Sequence, residues 1–342
     1  MDAQIALLLA QDGLVNGAVY GLMALALVLV FSVTRVIFIP QGEFVAFGAL
    51  SMAALQAGKT PPTLWLLFGL AAAVLVVEAV RWKRGATVDW TSAGIWCIAL
   101  PAAIAFLLLG WRPASLAAQA LCTVLLITPL GPLVYRLAFR PLADATVLLL
   151  LIVAVALHGV LVGLGLLFFG AEGSRTPAFS DARFDVGGLQ VSGQSLVVVG
   201  TTFALVVLLF GFFSRTMVGK ALRATAMNRV GARLVGIPTE LSGDLSFALA
   251  ASIAAVSGLL IAPLTTVYYD TGFLIGLKGF VAAIVGGLAS HPLALGGALL
   301  VGQLEAFASF WASAFKEVLV FMLIIPVLWW RSLRSHRVED EQ

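Results

Sequence analysis

Long apolar runs recur along this chain, separated by short polar or Gly/Pro-rich stretches, and the alternation predicts a bundle of membrane-crossing helices. The runs are Leu14–Val33, a Gly-containing stretch over 42–58, Leu64–Val80, Ala93–Leu109, Leu116–Tyr135, Ala145–Phe169, Ser195–Phe213, Leu245–Ala262, Phe273–Leu288, Leu293–Trp311 and Val318–Trp330. A helix needs ~20 apolar residues to cross ~30 Å of hydrocarbon, so the pattern fits roughly nine to eleven transmembrane helices. The stretches 42–58 and 273–288 are short and rich in Gly, which suits re-entrant segments. They share a faint likeness, Gly42-Glu43-Phe44-Val45-Ala46 against Lys278-Gly279-Phe280-Val281-Ala282, for which chance is the simpler account. The polar stretch 171–194 carries DARFDVGGLQV around Gly187-Gly188, a pattern that predicts a small hairpin outside the bilayer.

One polar island interrupts the apolar series. Thr216 to Pro238 reads TMVGKALRATAMNRVGARLVGIP, with Lys220, Arg223, Arg229 and Arg233 and no acid before Glu240. The cations alternate with Ala221, Leu222, Ala224, Ala226, Met227, Ala232 and Leu234, which predicts one or two short amphipathic helices. A break is expected near Arg229–Gly231, and Gly236 and Pro238 close the segment. Each Lys or Arg at a bilayer centre costs ~2.5–3.5 kcal/mol, so the island lies at the membrane surface or docks into another protein. By composition alone, an ordinary basic cytoplasmic loop is the better explanation.

Composition agrees with a membrane protein: 61% of the 342 residues are hydrophobic and 11% charged, against about 25% charged in soluble domains. No stretch is polar and long enough for a separate soluble domain, so 1–342 is read as one transmembrane domain. The net charge of +3 matches a bias of cations towards one membrane face, and no basic face with interleaved aromatics suggests nucleic acid. If the island faces the cytoplasm, alternation puts Arg35, Arg81, Lys83, Arg84, Arg136, Arg140, Arg215, Arg331, Arg334 and Arg337 there too. Lys59, Arg112, Arg175, Arg183 and Lys316 then lie outside, and Lys278 falls within a span. That bias predicts a periplasmic N-terminus and a cytoplasmic tail over 331–342. The start of the chain lacks a basic n-region, and no cleaved signal peptide is expected.

Few residues suggest chemistry. Cys97 and Cys122 fall in apolar runs and read as small core residues. Gly58-Lys59-Thr60 imitates the end of a phosphate-binding loop, but Ala53 stands where the first Gly belongs. No nucleophile–base pair and no metal-ligand spacing occur, so neither a catalytic nor a metal site is expected. His158 lies alone within its run and reads as a packed or hydrogen-bonded histidine. Charges within spans are costly and tend to mark function, which singles out Glu43, Lys278 and Glu305. Glu43 follows the Pro40-Gln41-Gly42 break and either lines a cavity or snorkels; Lys278 reads as interfacial. Glu305 suits a polar contact, a neutral carboxyl or solute contact, and Tyr20, Tyr268 and Tyr269 read as interfacial anchors.

Within the island, the order Gly219, Arg223-Ala224, Ala226, Asn228-Arg229, Ala232, Leu234, Gly236-Ile237 resembles the cytoplasmic coupling motif of ABC importer permeases. It is most similar to the branched-chain amino-acid permease family. Gly13–Leu50, GLVNGAVYGLMALALVLVFSVTRVIFIPQGEFVAFGAL, resembles that family's first block. Gly276–Glu305, GLKGFVAAIVGGLASHPLALGGALLVGQLE, resembles a later one. Three departures stand out. Met227 occupies a position usually acidic or Gln, and Gln41 stands where the family has His. The stretch 81–130 looks like an extra helix pair.

The resemblance implies an all-α ABC importer permease fold in the bacterial inner membrane. It implies a coupling segment over 216–238 that fits a cleft on an ATPase, and a translocation path near Gln41, Gly42, Glu43, Lys278 and Glu305. The partners implied are two ATP-binding cassette subunits, a second related permease and a periplasmic solute-binding protein. ATP and Mg would be held by the ATPases and no cofactor by this chain, which is then not an enzyme. The implied solute is a branched-chain amino acid or a related small polar molecule such as an amide, urea or an aromatic acid. The rival reading is a self-sufficient secondary transporter or channel.

Overall fold

The computed structural model describes residues 3–85, 88–110, 113, 115–186 and 189–339. Arg112, the Gly187-Gly188 turn, the acids after 339 and the side chains of Arg331, Arg334 and Arg337 lie outside the described residues. The chain is helical almost throughout. The elements before the island are α1 (Ala3–Thr34), α2 (Gln41–Gln56), α3 (Thr63–Lys83), α4 (Trp90–Gly110), α5 (Leu116–Leu142), α6 (Val147–Phe169), β1 (Arg183–Val186), β2 (Leu189–Ser192) and α7 (Gly193–Arg215). They are followed by α8 (Met217–Met227), α9 (Arg229–Leu234), α10 (Thr239–Ile261), α11 (Thr271–Val285), α12 (His291–Trp311), α13 (Lys316–Met322) and α14 (Ile324–Glu339). Among the described residues nine helical runs are long and apolar enough to cross a membrane, the last being the stepped run Ser313–Trp330. α2 and α11 are too short, so the eleven apolar runs of the sequence become nine spans and two short helices.

These two short helices organise the centre. Each begins about halfway through the bundle. The Gln41 side chain donates to the carbonyl of Ala250 at the midpoint of α10, and Glu43 meets His158 at the midpoint of α6. α2 packs along α10 rather than along its chain neighbour α1, while α11 packs against α1 and α12. The two N-termini cross at Gly42 and Gly272, each the second residue of its helix. A Cβ on either would fall on the other's carbonyl oxygen, so only glycine permits the approach. This contact joins Gly42 to Gly272, whereas the sequence likeness aligns Gly42 with Lys278.

Around this centre α1 and α12 run antiparallel on small residues, with Gly13 against Gln303, Gly17 against Leu299 and Gly21 against Leu295. Such close backbone approach is how helices gain packing energy where the surroundings are as apolar as the side chains. Arg35, with φ 62°, ends α1 in the left-handed conformation and turns the chain into the Val36–Pro40 linker. There Phe38 is fully buried against Phe44, Phe139 and Phe247. The predicted hairpin is present, with Arg183 opposite Ser192. The stretch leading to it is tied to the α10–α11 linker by Ser174–Val267 backbone bonds and by Arg175 donating to Pro263.

Candidate functional site

The cationic island forms two helices meeting at Asn228. Thr216 caps α8 through Gly219 N–H, and the Asn228 side chain caps α9 through Gly231 N–H at 2.8 Å. The break thus comes one residue earlier than the Arg229–Gly231 expected from sequence, because Asn228 leaves the helical conformation in order to cap the next helix. One side of the pair faces the bundle. Leu222 is buried against Leu29 and Val33 of α1, Thr225 bonds Ser242, and Arg233 donates to Thr239 at 2.9 Å. Arg229 donates to the carbonyl of Ala143 in the α5–α6 turn. Gly219 abuts the backbone of Phe212 and Phe213, and Ala232 is buried. The other side is open: Met217, Met227, Val230, Leu234 and Val235 are each more than two-thirds exposed, and Arg223 is exposed among them. Ala224, Ala226 and Ile237 are half-buried at the boundary, and Gly236 turns the chain at φ 82°.

Beneath this segment lies a group of buried charges that sequence reasoning missed. Arg136 donates to Asp244 from Nε at 3.0 Å and from Nη2 at 2.5 Å, and also reaches Ser92 of α4. Arg140 bridges Glu78 of α3, at 3.0 Å, and Glu240 at the start of α10. Arg81 adds a second partner to Glu78. A π-turn over Tyr135–Phe139 ends the helical run that presents Arg136 and Arg140. In sequence these residues sit at run ends and look like ordinary loop charges. Their separation along the chain hides the convergence of α3, α4, α5 and α10.

The residues read as a path occupy two separate places. Gln41, Gly42 and Glu43 lie at the crossing of α2 and α11. Glu43 is fully buried, so it does not snorkel. Its Oε1 is 2.7 Å from His158 Nδ1, whose ring stacks on Phe273 at 4.4 Å. His158 is therefore hydrogen-bonded but not alone. Glu43 Oε2 and Gln41 Oε1 are buried and have no protein partner.

Lys278 and Glu305 meet elsewhere, between α1, α11, α12 and α13. Lys278 Nζ lies 2.6 Å from Glu305 and 3.0 Å from Glu317, and Tyr20 donates to the second Glu305 oxygen at 2.5 Å. The interfacial readings of Lys278 and Tyr20 are thus corrected: both are buried and bind the same carboxylate. Tyr268 is exposed and Tyr269 half-buried.

Comparison with known proteins bears on the same segments. Residues 92–328 match the model of the family described as branched-chain amino acid transport system / permease component. The chain belongs to that family. The high-affinity branched-chain amino acid transport system permease protein BraD of Pseudomonas aeruginosa is 30% identical over 226 residues, covering 64% of this chain and 74% of that protein. LivH of Escherichia coli K12, described in the same words, is 30% identical and covers 64% of this chain and 73% of its own. A shorter match, 28% identical over 130 residues, is to the autoinducer 2 import system permease protein LsrC of Salmonella paratyphi B. It covers 38% of this chain and 36% of that one. The family is one of transport permeases, not of enzymes, and the matched region holds Arg136, Arg140, Asp244, α8 and α9.

Proposed function

We propose that this chain is the permease subunit of an ATP-driven ABC importer and forms half of a translocation path for branched-chain amino acids or a related small polar solute. The names of BraD and LivH support the amino-acid class, and that of LsrC supports variation of solute among related permeases. The observation that carries the reading is the two-sided surface of α8 and α9. Exposed Met227, Val230 and Leu234 among cations form an apolar, basic patch of the kind a protein partner covers. The opposite side is keyed into α1, α10 and the α5–α6 turn.

In this mechanism two ATP-binding cassette subunits, holding ATP and Mg, cover the exposed side. Their closure moves α8 and α9 as a unit, and the buried contacts of Leu222, Thr225 and Arg229 pass the motion to α1, α10 and α5. The helices then exchange an outward-open for an inward-open arrangement, to the extent that the ATPases bind the two arrangements differently. A second related permease supplies the other half of the path, and a periplasmic binding protein delivers solute. The island faces the cytoplasm of a bacterial inner membrane, as does the C-terminus, and the N-terminus is periplasmic.

The test is mild-detergent purification of the tagged chain from its native membrane. Two ATPase chains and a second permease are expected in the eluate, and Arg223→Glu with Arg229→Glu is expected to release the ATPases and abolish uptake while membrane insertion persists. A lone chain that moves solute in liposomes would replace this reading with a secondary carrier.

A further inference from the structure

A cavity of about 350 Å³ opens between the C-terminal ends of α2 and α6. This end of the bundle is remote from the cationic island. The other end of α6 follows the Ala143 turn to which Arg229 bonds, whereas Phe169 closes α6 at the cavity. Leu50, Ala54, Phe168 and Phe169 supply apolar walls, and the polar side chains bordering the space are Lys59, Thr60 and Ser174. The volume lies at the lower end of the roughly 300–1,000 Å³ typical of small-molecule sites.

Three features define what would fit. Lys59 has no carboxylate within ion-pair distance among the described residues, so its ammonium is available to an anion. The ends of α2 and α6 both border the space, through Ala57 and Phe169, and the carbonyl ends of helices favour a cation within the last turn. The wall between these poles is aliphatic and aromatic. Phe169, which lines the space, packs on Phe47 with ring centroids 5.9 Å apart, and one helical turn beyond Phe47 lies Glu43 with His158. Cavity, aromatic layer and buried carboxylate thus follow one another along α2 and α6.

We propose that this cavity is a receiving site for a zwitterionic amino acid with an aliphatic side chain. Its carboxylate pairs with Lys59, its ammonium faces the helix C-termini, and its side chain lies on Leu50, Ala54 and Phe168. The Phe47–Phe169 pair separates it from the centre. The inference deepens the importer reading and rests on it for the direction from which solute arrives.

The test uses the full chain carrying Ala54→Cys in lipid nanodiscs, with the rate of maleimide labelling as readout; Cys97 and Cys122 are buried. A site four-fifths occupied slows labelling about fivefold. Leucine and 4-methylpentanoate, which keep the carboxylate, are expected to slow labelling, and 3-methylbutylamine, which lacks it, is not. Lys59→Gln, at an exposed position, is expected to remove the protection. Unchanged labelling with all three probes overturns the proposal, as does equal protection by leucine in Lys59→Gln. ATP-driven leucine uptake by the complete importer is measured in parallel. Uptake without protection refutes the site alone, and protection without uptake refutes the importer reading alone.

Discussion

Two groups of buried charge in this molecule are built on opposite plans. At the end beneath the basic island, both oxygens of Asp244 and both of Glu78 accept from guanidinium groups of Arg136, Arg140 and Arg81, while Arg136 Nη1 and Arg140 Nε are buried without a protein partner. At the centre, Glu43 has one oxygen on His158 and the other buried without a protein partner, and Gln41 beside it is likewise half satisfied. Carboxylates saturated by charge-assisted bonds tie α3, α4, α5 and α10 together beneath α8 and α9. An open set leaves buried acceptors that cost about 1–3 kcal/mol each until a donor arrives, which favours a site whose partner changes. The first group suits a transmission element, and the second a point on a path.

The largest effect should come from breaking the first group. Arg136→Ala leaves Asp244 buried and uncompensated, and a loss of ~3–5 kcal/mol is expected. It is measured as a lowered unfolding temperature in detergent. Replacing the pair together, Arg136→Met with Asp244→Leu, removes both charges and should recover most of that loss. If the double variant unfolds as early as the single one, the pair is not a self-contained unit and the remaining contact of Arg136 with Ser92 carries more than the geometry suggests.

How far these groups were legible in the sequence depends on what joins them. The long spans, the basic island and the hairpin were readable because each is set by residues close in sequence: apolar run length, cation spacing and a Gly-Gly turn. So was the shortness of the helices in 42–58 and 273–288, since run length and glycine are local properties. The buried charges at the centre were half legible. Glu43 stood out as a charge inside a run, but its partner His158 comes 115 positions later, a separation that no periodicity reports. Glu78, Arg136 and Asp244 were missed because they sit at run ends, where charges usually meet water. Lys278 was misplaced for a related reason: its helix is short and buried on several sides, so a position near the start of an apolar run is here deep in the packing. The match of residues 92–328 to the permease family reaches α11 but not α1 or α2.

The crossing itself offers a test of intermediate size. Gly272→Ala places a methyl on the carbonyl of Gly42, where the obstacle is backbone and cannot rotate away. Overpacking of this kind costs typically ~1–3 kcal/mol, and the two short helices should separate. The expected outcome is a moderately lowered unfolding temperature with uptake lost. Ala substitution at Gly159, which meets nothing within 4 Å, should leave both unchanged. Equal behaviour of the two variants would mean that the α2–α11 approach is looser than the close backbone contact implies.

The smallest expected change in stability distinguishes the two plans most directly. Glu43→Gln keeps the shape and a hydrogen bond to His158 while removing the charge. Because the second oxygen had no protein partner to lose, the stability change should stay within ~1 kcal/mol. If that oxygen serves a passing solute, the initial uptake rate should fall at least ~10-fold, about 1.4 kcal/mol in barrier. The measurement is labelled-leucine uptake by vesicles containing the complete importer, beside an unfolding curve of the same preparation. A variant that is stable but slow places Glu43 on the path. Unchanged uptake would make the Glu43–His158 pair a fastening like Arg136–Asp244, with its spare oxygen left over from packing, and the contrast between the centre and the basic-island end would collapse.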